Sequence, residues 1–343
     1  MAAARRIDVH LHIIPKLYQE AVRAAGLGPA RRAGYPDYSP ELAIELMDAS
    51  EIEFAITSVA QPGVQFTEPT VARTLARRLN EYAAELMAKW PKRFGAFTLV
   101  PMRDVKDAIA EIEYSLDILK FQGACLFASY GEKYLGDPLF DPILDVLNQR
   151  GSVVFIHPTL HPSSRALDLP WPGFIMEYLF DTTRAAVNLL LSGALDRFPN
   201  IKFILAHAGG TLPYFAWRLA ASPVVDETVP QWSRKKFAAG LKHFWYDNAL
   251  SCGQTAMGAL KTVADPGNIL FGSDWPFVPS ALVAEEIAAH QSPDLHSDTD
   301  RAAIDRLNAL RLFPELARSG NASVLPAARE SAADAGMDRQ RSM

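Results

Sequence analysis

Short runs of apolar, β-branched and aromatic residues recur along the chain, and each is followed by a longer stretch with apolar residues three or four positions apart. The short runs are typical of buried strands, and the longer stretches of amphipathic helices. The predicted strands are residues 6–12, 54–59, 94–99, 123–127, 153–157, 202–207, 244–248 and 269–274. Strand and helix alternating eight times predicts an α/β protein, a (β/α)8 TIM barrel.

Two connections between these elements are longer than most loops of a compact domain, residues 13–38 and 158–173. Both follow the carboxyl ends of strands, the catalytic face of such a barrel, so we predict that they are lids over a substrate. Residues 1–321 are predicted to form one barrel domain. The tail, residues 322–343, has few large apolar residues and is predicted to be flexible.

The composition of the 343 residues is that of a globular enzyme, with 49% hydrophobic residues, 21% charged residues and a formal net charge of -5. No basic stripe argues for a nucleic-acid partner. The two cysteines, Cys125 and Cys252, lie far apart and form no CxxC pair. They therefore suggest neither a disulfide framework nor a thiolate metal site, which is consistent with a reducing compartment. No apolar run approaches a membrane span or a signal segment. We therefore expect a cytoplasmic protein without a membrane or nucleic-acid partner.

His10 and His12 are two residues apart in the first predicted strand. Alternate side chains of a strand point to the same face, so both imidazoles would face one point inside the barrel. Neutral imidazole binds zinc and other first-row divalent ions. Taken alone the pair is weak evidence, because strand histidines can also be solvated or bonded to the backbone.

Other candidate ligands end predicted strands as well: His157 the fifth, His207 the sixth and Asp274 the eighth. Four of the eight histidines therefore fall at the carboxyl ends of strands. Because these ends meet at one face of a barrel, we predict one joint site in preference to independent packing histidines. A mixed set of imidazoles and a carboxylate is typical of a divalent metal site and does not decide between zinc, the first expectation, and manganese, the second.

This arrangement resembles the amidohydrolase superfamily, over about residues 6–314. The finer motifs are similar to its branch of decarboxylases related to aminocarboxymuconate semialdehyde decarboxylase. These motifs are Ile156-His157-Pro158, Ala206-His207-Ala-Gly-Gly210-x-x-Pro213, Gly272-Ser-Asp274-Trp-Pro276 and Asn308-Ala-Leu-Arg-Leu-Phe-Pro314. Within that branch the chain most resembles decarboxylases of salicylate-type acids, such as 6-methylsalicylate.

The resemblance implies a role for each candidate residue. The metal ligands would be His10, His12, His157 and Asp274. His207 would be a catalytic residue beside the metal, with a fifth metal ligand as the alternative, and Asp274 would also move a proton. Dinuclear members of the superfamily use a carboxylated lysine near the end of strand four, where this chain has Gly123-Ala-Cys-Leu-Phe127. One metal ion is therefore expected. No organic cofactor is expected either, because the ortho hydroxyl of a salicylate-type substrate would supply the electrons.

The resemblance also bears on the substrate and on assembly. Arg218 follows strand six, and the matching arginine of the semialdehyde decarboxylase reaches the neighbouring subunit's site to bind a carboxylate. This implies a homodimer or a higher homo-oligomer, although an ordinary surface arginine is the alternative. A second substrate arginine of that relative falls at Gly34 here, which favours a smaller monoacid. Aromatic residues near strand ends or in the predicted lids would line a slot for a flat ring, with ordinary packing as the alternative for each: Phe127, Phe174, Tyr178, Trp275 and Phe277.

The leading hypothesis is a metal-dependent, non-oxidative decarboxylase of a hydroxylated aromatic acid, with Asp274 protonating the ring carbon and His207 assisting. The ligands alone also allow a hydrolase of an amide or lactone, because both chemistries use an open divalent site. A catalytically silent metal-binding barrel is a third hypothesis.

Overall fold

The computed structural model describes residues 6–28, 34–167 and 169–318. The predicted tail, residues 322–343, lies outside these ranges, and so do residues 29–33 of the first predicted lid. Within the described ranges, no helix has both the length and the apolar character needed to cross a membrane.

Eight parallel strands form the centre of the fold, and each pairs with the next one along the chain. They are β1 (Arg6–His12), β2 (Ile52–Ser58), β3 (Phe94–Leu99), β4 (Gly123–Phe127), β5 (Val153–His157), β6 (Lys202–Leu205), β7 (Trp245–Asp247) and β8 (Ile269–Leu270). The chain beyond β8 returns to β1, because the Val9 amide donates to the Phe271 carbonyl at 3.0 Å and the His12 amide to the Trp275 carbonyl at 2.7 Å. The predicted (β/α)8 barrel is confirmed.

Two strands end at least two residues earlier than predicted, β6 at Leu205 and β8 at Leu270. An apolar residue follows each of these ends, so the hydrophobic pattern overestimates the length of both strands. His207 and Asp274 therefore lie in the turns beyond the strands, with backbone φ angles of 55° and 53°. This left-handed conformation is unfavourable for residues other than glycine and persists only where the surrounding structure supports it.

Helices surround the barrel. They are α1 (Lys16–Ala24), α2 (Pro40–Ala49), α3 (Pro69–Lys89), α4 (Val105–Glu113), α5 (Asp141–Gln149), α6 (Glu177–Leu191), α7 (Ala194–Arg197), α8 (Leu212–Val225), α9 (Arg234–His243), α10 (Gln254–Val263), α11 (Ser280–His290), α12 (Asp298–Ala302), α13 (Asn308–Leu312) and α14 (Pro314–Arg318). Two π-helical turns, Tyr114–Ile118 and Ala303–Leu307, continue α4 and α12. Short 3-10 turns span Pro138–Phe140, Pro162–Leu167, Gly173–Ile175, His207–Gly209 and Pro266–Asn268, and a small hairpin pairs Ser129–Tyr130 with Lys133–Tyr134.

The start of α2 follows its sequence signals, whereas the start of α6 does not. The Ser39 hydroxyl accepts the amide of Leu42 at 3.1 Å, as a helix cap does. For α6, Asp181 and Thr182 are of residue types that often cap helices, but the helix already begins at Glu177. The Asp181 carboxylate instead accepts the amide of Thr159 at 2.8 Å, in the loop after β5.

The core has two layers, which explains why the strands are apolar on both faces. The interior of the barrel is filled by side chains such as Val9, Phe97, Phe155 and Ile204, with Phe313 packed against them. The second layer lies between the strands and the helices. The Phe155 ring is 4.8 Å from the His10 ring, centroid to centroid, so the packed interior supports the polar residues at the end of the barrel.

Candidate metal centre

Four buried side chains converge at the carboxyl ends of the strands. His10 and His12 come from β1, His157 from the end of β5, and Asp274 from the turn after β8. One potential ligand atom of each lies within 4.8 Å of those of the other three. The barrel therefore brings together all four residues that the sequence singled out as ligands.

The distances between these atoms suit a single ion. The Nε2 atoms of His10 and His12 are 3.0 Å apart, and Asp274 Oδ1 lies 3.0 Å from His12 Nε2 and 3.4 Å from His10 Nε2. Donor atoms at a right angle, each about 2.1 Å from one ion, are separated by about 3 Å. The donor set thus fits a divalent metal without a large rearrangement.

The opposite nitrogen of each imidazole has its own partner. His10 Nδ1 lies 2.9 Å from Asp247 Oδ2, and His12 Nδ1 lies 3.0 Å from the Ser58 hydroxyl. His157 Nδ1 donates to its neighbouring carbonyl, that of Pro158, at 2.7 Å. Partners of this kind set the tautomer and the ring orientation of a histidine ligand. They leave the three Nε2 atoms available to a metal.

The pKa values fit the same interpretation. Burial lowers the pKa of His157 well below 6.5, and burial also lowers that of His12, against the effect of Asp274. Burial alone would lower the pKa of His10, but the Asp247 and Asp274 carboxylates raise it to about 10. Burial alone would raise the pKa of Asp274, but His10 and His12 hold it well below its ordinary value. Without a metal the site therefore keeps a proton on His10, which a divalent ion would displace.

His10 also belongs to a second group of potential ligands, with His207 and Asp247. Asp247 meets His10 at Nδ1, on the ring edge away from Nε2, and its Oδ1 already accepts the amides of His207 and Ala249, each at 3.0 Å. An ion in this second group would replace these hydrogen bonds, whereas an ion among the four converging residues leaves them in place. We therefore treat the four-residue group as the candidate metal centre.

His207 lies beside this centre and faces the same cavity. Its ring centroid is 5.0 Å from that of His10 and 6.4 Å from that of His157. Its Nδ1 lies 3.0 Å from the Ala249 carbonyl, which leaves Nε2 unengaged by that bond. The ring is thus held in place next to the four converging side chains, but it is not one of them.

A cavity of about 420 Å³ opens above the metal centre. Its wall is mainly apolar, and none of its described lining residues is a lysine or an arginine. The lining residues are Ala60, Gln61, His157, Phe174, Ile175, Tyr178, Leu179, His207, Leu250, Asp274, Phe277, Val278, Pro279 and Leu282. The groups that can hold an anion or a metal are therefore concentrated at one end of an apolar space.

The aromatic residues predicted to bind substrate fall into two sets. Phe174, Tyr178 and Phe277 line the cavity. Phe127 and Trp275 do not line it: both are buried, and their ring centroids lie 6.2 Å from that of His157 and 5.9 Å from that of Tyr38, respectively. Their proximity to strand ends in the sequence does not reveal which way their side chains point.

Arg218 lies on α8, away from the cavity of its own chain. Its side chain is exposed, and it makes no hydrogen bond or ion pair with any residue in the described ranges. The same helix exposes large apolar side chains, with Tyr214 at 83% and Trp217 at 72% of full exposure. Within one chain, Arg218 is therefore not part of the candidate site.

Two residues beside the metal centre were not singled out from the sequence, Asp247 at the end of β7 and Ser58 at the end of β2. Each follows an apolar run, as His157 does, so a signal of the same kind was present. The signal is weaker because aspartate and serine are common at strand ends and in turns. Only their contacts with His10 and His12 distinguish them.

Comparison with known proteins places this architecture in a family. Residues 7–314 match the family described as Amidohydrolase. The 6-methylsalicylic acid decarboxylase of Penicillium expansum is 38% identical over 320 residues, which cover 91% of this chain and 97% of that protein. The gamma-resorcylate decarboxylase of a Rhizobium species is 30% identical over 283 residues, covering 79% of this chain and 85% of that protein.

Solved structures agree with this result. The dihydroxybenzoic acid decarboxylase of Polaromonas sp. JS666, crystallised with manganese and the inhibitor 2-nitroresorcinol, has a TM-score of 0.77 at 26% identity. The match covers 90% of this chain and 96% of that one. The chain belongs to the amidohydrolase family. It is a carboxy-lyase of that superfamily, and a divalent metal suits its site.

Proposed function

We propose that the chain removes the carboxyl group from a hydroxylated aromatic acid of the salicylate type, with 6-methylsalicylate as the representative substrate. The observation that carries this proposal is the cavity, which is mainly apolar, with His157, His207 and Asp274 together at the metal centre and Gln61 and Tyr178 as its other polar side chains. An aromatic ring with one carboxylate and an adjacent hydroxyl would fit this cavity, with its polar groups near the three residues at the metal centre and its ring against the apolar wall. The relatives that act on 6-methylsalicylic acid and gamma-resorcylate support the same substrate class.

His10, His12, His157 and Asp274 would hold the metal ion. When bound, the ion supplies Lewis-acid chemistry and a template for the substrate carboxylate and its neighbouring oxygen. Zinc is the first expectation from the donor types, and manganese is supported by the related Polaromonas decarboxylase, so both are to be tested.

In the proposed mechanism Asp274 moves the proton that the reaction requires. In the proposed step Asp274 takes the proton of the ortho hydroxyl and delivers it to the ring carbon that bears the carboxylate. The bond from that carbon to the carboxylate then breaks, its electron pair returns to the ring, carbon dioxide leaves, and the phenolate product remains. His207, whose Nδ1 is engaged by the Ala249 carbonyl, would assist through Nε2 by holding a proton near the substrate oxygen.

The apolar wall favours an alkyl substituent over a second hydroxyl group. Leu250, Val278 and Leu282 line the cavity and offer no side-chain hydrogen bond. A buried hydroxyl without a partner costs about 1–3 kcal/mol, whereas a buried methyl group contributes about 0.8 kcal/mol. We therefore expect 6-methylsalicylate to be used better than 2,6-dihydroxybenzoate.

The test is a panel of acids given to the purified protein loaded with manganese or zinc: 6-methylsalicylate, salicylate, 2,6-dihydroxybenzoate and 4-hydroxybenzoate. Carbon dioxide release and the phenolic product are measured. We expect 6-methylsalicylate to have the highest kcat/KM and 4-hydroxybenzoate, which lacks the ortho hydroxyl, to be inert. Hydrolysis of amides or lactones by the same protein, without any carbon dioxide release, would overturn the proposal in favour of a hydrolase.

We also propose that the enzyme is at least a homodimer, assembled through α8. Tyr214, Trp217, Val224 and Val225 are among the most exposed large apolar residues of the described chain, and Arg218 lies on the same helix. Such a face is typical of a surface that a second copy covers. In that arrangement Arg218 would reach the neighbouring cavity and bind a substrate carboxylate.

Subunit mixing tests this assembly. R218M and D274N are each expected to be inactive alone. After mixing and exchange, about half of the dimers are mixed, and each mixed dimer has one complete site, so about a quarter of wild-type activity should return. A monomeric wild-type protein, or full activity of R218M alone, would contradict the proposal.

A further inference from the structure

Asp247, at the end of β7, is fully buried and does not line the cavity. Both of its carboxylate oxygens are used, and they serve different parts of the site. Oδ2 bonds to a ring of the metal centre, and Oδ1 bonds to the backbone that carries His207. This one carboxylate therefore contacts both the proposed metal ligand His10 and the backbone of the proposed catalytic residue His207.

The bond to His10 fixes which of its nitrogens can bind a metal. Asp247 Oδ2 is 2.9 Å from His10 Nδ1, and an ionised carboxylate only accepts hydrogen bonds, so this nitrogen carries the hydrogen. The lone pair of the neutral ring is then on Nε2, the atom that faces His12 and Asp274. The tautomer of His10 is thus set from outside the metal centre.

The other oxygen holds His207 by two routes. Oδ1 accepts the His207 amide and the Ala249 amide, each at 3.0 Å. The Ala249 carbonyl in turn accepts His207 Nδ1 at 3.0 Å. His207 has a φ of 55°, a conformation that needs support from its surroundings. Asp247 provides this support to the backbone directly and to the ring through Ala249.

We propose that Asp247 is a positioning residue that sets the metal-binding nitrogen of His10 and the placement of His207 together. The His207 half of this inference rests on the proposed decarboxylase function, whereas the His10 half rests only on metal binding. Two losses are therefore expected from a change at Asp247: weaker metal binding, and slower chemistry that added metal does not repair.

Asp247→Asn is the most informative variant because it keeps the shape of the side chain and replaces one of its two acceptor oxygens with an amide nitrogen, which donates. If its amide nitrogen faces His10, that ring must carry its hydrogen on Nε2 and cannot bind a metal through this atom. If the amide nitrogen faces the other way, it meets the two backbone amides that hold His207. Either orientation breaks one half of the arrangement.

The experiment titrates the metal-free protein with Mn²⁺, followed by electron paramagnetic resonance, and then measures kcat for 6-methylsalicylate at saturating Mn²⁺. For D247N we expect Mn²⁺ affinity to fall about 10–100-fold if the amide nitrogen faces His10, and kcat at saturating Mn²⁺ to stay at least about 10-fold below wild type if it faces the two backbone amides. T98V is the matched control, since Thr98 is equally buried, is hydrogen-bonded to Ser115 and Asn80, and lies on β3 away from the site. It should lower the melting temperature without changing either quantity.

Wild-type Mn²⁺ affinity in D247N together with wild-type kcat at saturating Mn²⁺ would overturn the inference. A measurement on the wild-type protein covers the case in which D247N does not fold. In the zinc-loaded protein with ¹⁵N-labelled histidine, NMR should show His10 with its hydrogen on Nδ1, and a hydrogen on Nε2 would also overturn the inference. If the wild type releases no carbon dioxide, the proposed function fails, while the affinity and NMR results still decide the role of Asp247 at His10.

Discussion

The protein contains two buried clusters of histidine and aspartate that differ in how their polar atoms are used. One is the metal centre, where three Nε2 atoms converge and each Nδ1 has a partner. The other lies near the end of α11, where the His290 and His296 rings are 4.7 Å apart, centroid to centroid. Asp305 Oδ1 is 3.2 Å from His290 Nε2 and also accepts a hydrogen bond from Arg6.

In this second cluster, none of the four ring nitrogens makes a well-aligned hydrogen bond with a described residue, and the contact between His290 Nε2 and Asp305 Oδ1 is an ion-pair distance only. His290, His296 and Asp305 also do not form a group with three ligand atoms close together in the described chain. Burial and residue type are therefore the same in the two clusters, and only the direction of the nitrogens and their outer partners differ. A preorganised site is recognised by these partners, not by its composition.

The two clusters should differ most in the effect on kcat of removing a carboxylate. Asp274→Asn is expected to lower kcat by about 10³-fold, because the amide can neither take up nor deliver the proton and is a poorer metal ligand. Asp305→Asn should reduce thermal stability and leave kcat at saturating metal unchanged. Steady-state carbon dioxide release at saturating metal measures both, and equal losses in the two variants would remove the distinction.

Metal removal should have the next largest effect. Chelation is expected to abolish activity, and Mn²⁺ or Zn²⁺ should restore it. At a metal concentration of about 100 times Kd, the free energy of unfolding should rise by about 2.7 kcal/mol. H12Q should lose this metal-dependent stabilisation and H296Q should keep it, as measured by denaturant unfolding with and without metal. Loss of the stabilisation in H296Q would show that the second cluster also binds the metal.

A smaller effect is expected from the partner of His12. Ser58→Ala removes the hydroxyl 3.0 Å from His12 Nδ1 and should weaken Mn²⁺ binding by about 10-fold. Competition with a calibrated chelator measures this change. An unchanged affinity would mean that the barrel backbone alone orients the His12 ring.

The smallest effect concerns pH and the second cluster. Burial, with help from the charges of His290 and Lys261, lowers the pKa of His296 from 6.5 to about 4. Below pH 6.5 the unfolded chain binds a proton that the folded chain excludes, so the free energy of unfolding should fall as the pH drops from about 6.5 to 4. Replacing His296 with Gln should reduce this loss by an amount on the order of 1 kcal/mol at pH 5. If the free energy of unfolding falls equally with pH in the two proteins, His296 is not the source of this pH dependence.

Much of the site was accessible from the sequence because a parallel barrel gathers the carboxyl ends of its strands at one face. His10, His12 and His157 each stand at such an end, so their meeting follows from the strand pattern alone. Asp274 was found by the same rule, although it lies beyond the strand, because the turn after β8 carries it back toward β1: its amide donates to the His10 carbonyl at 2.7 Å.

The metal centre thus depends on information of two kinds. The sequence by itself determined the barrel, the four converging side chains and the family, because hydrophobic periodicity and residue order are local properties of the chain. Only the tertiary structure decided that Phe174, Tyr178 and Phe277 face the cavity while Phe127 and Trp275 do not, and that Asp247 joins His10 to His207. Side-chain direction and hydrogen-bond partners between distant strands depend on how the whole barrel packs, which no local pattern records.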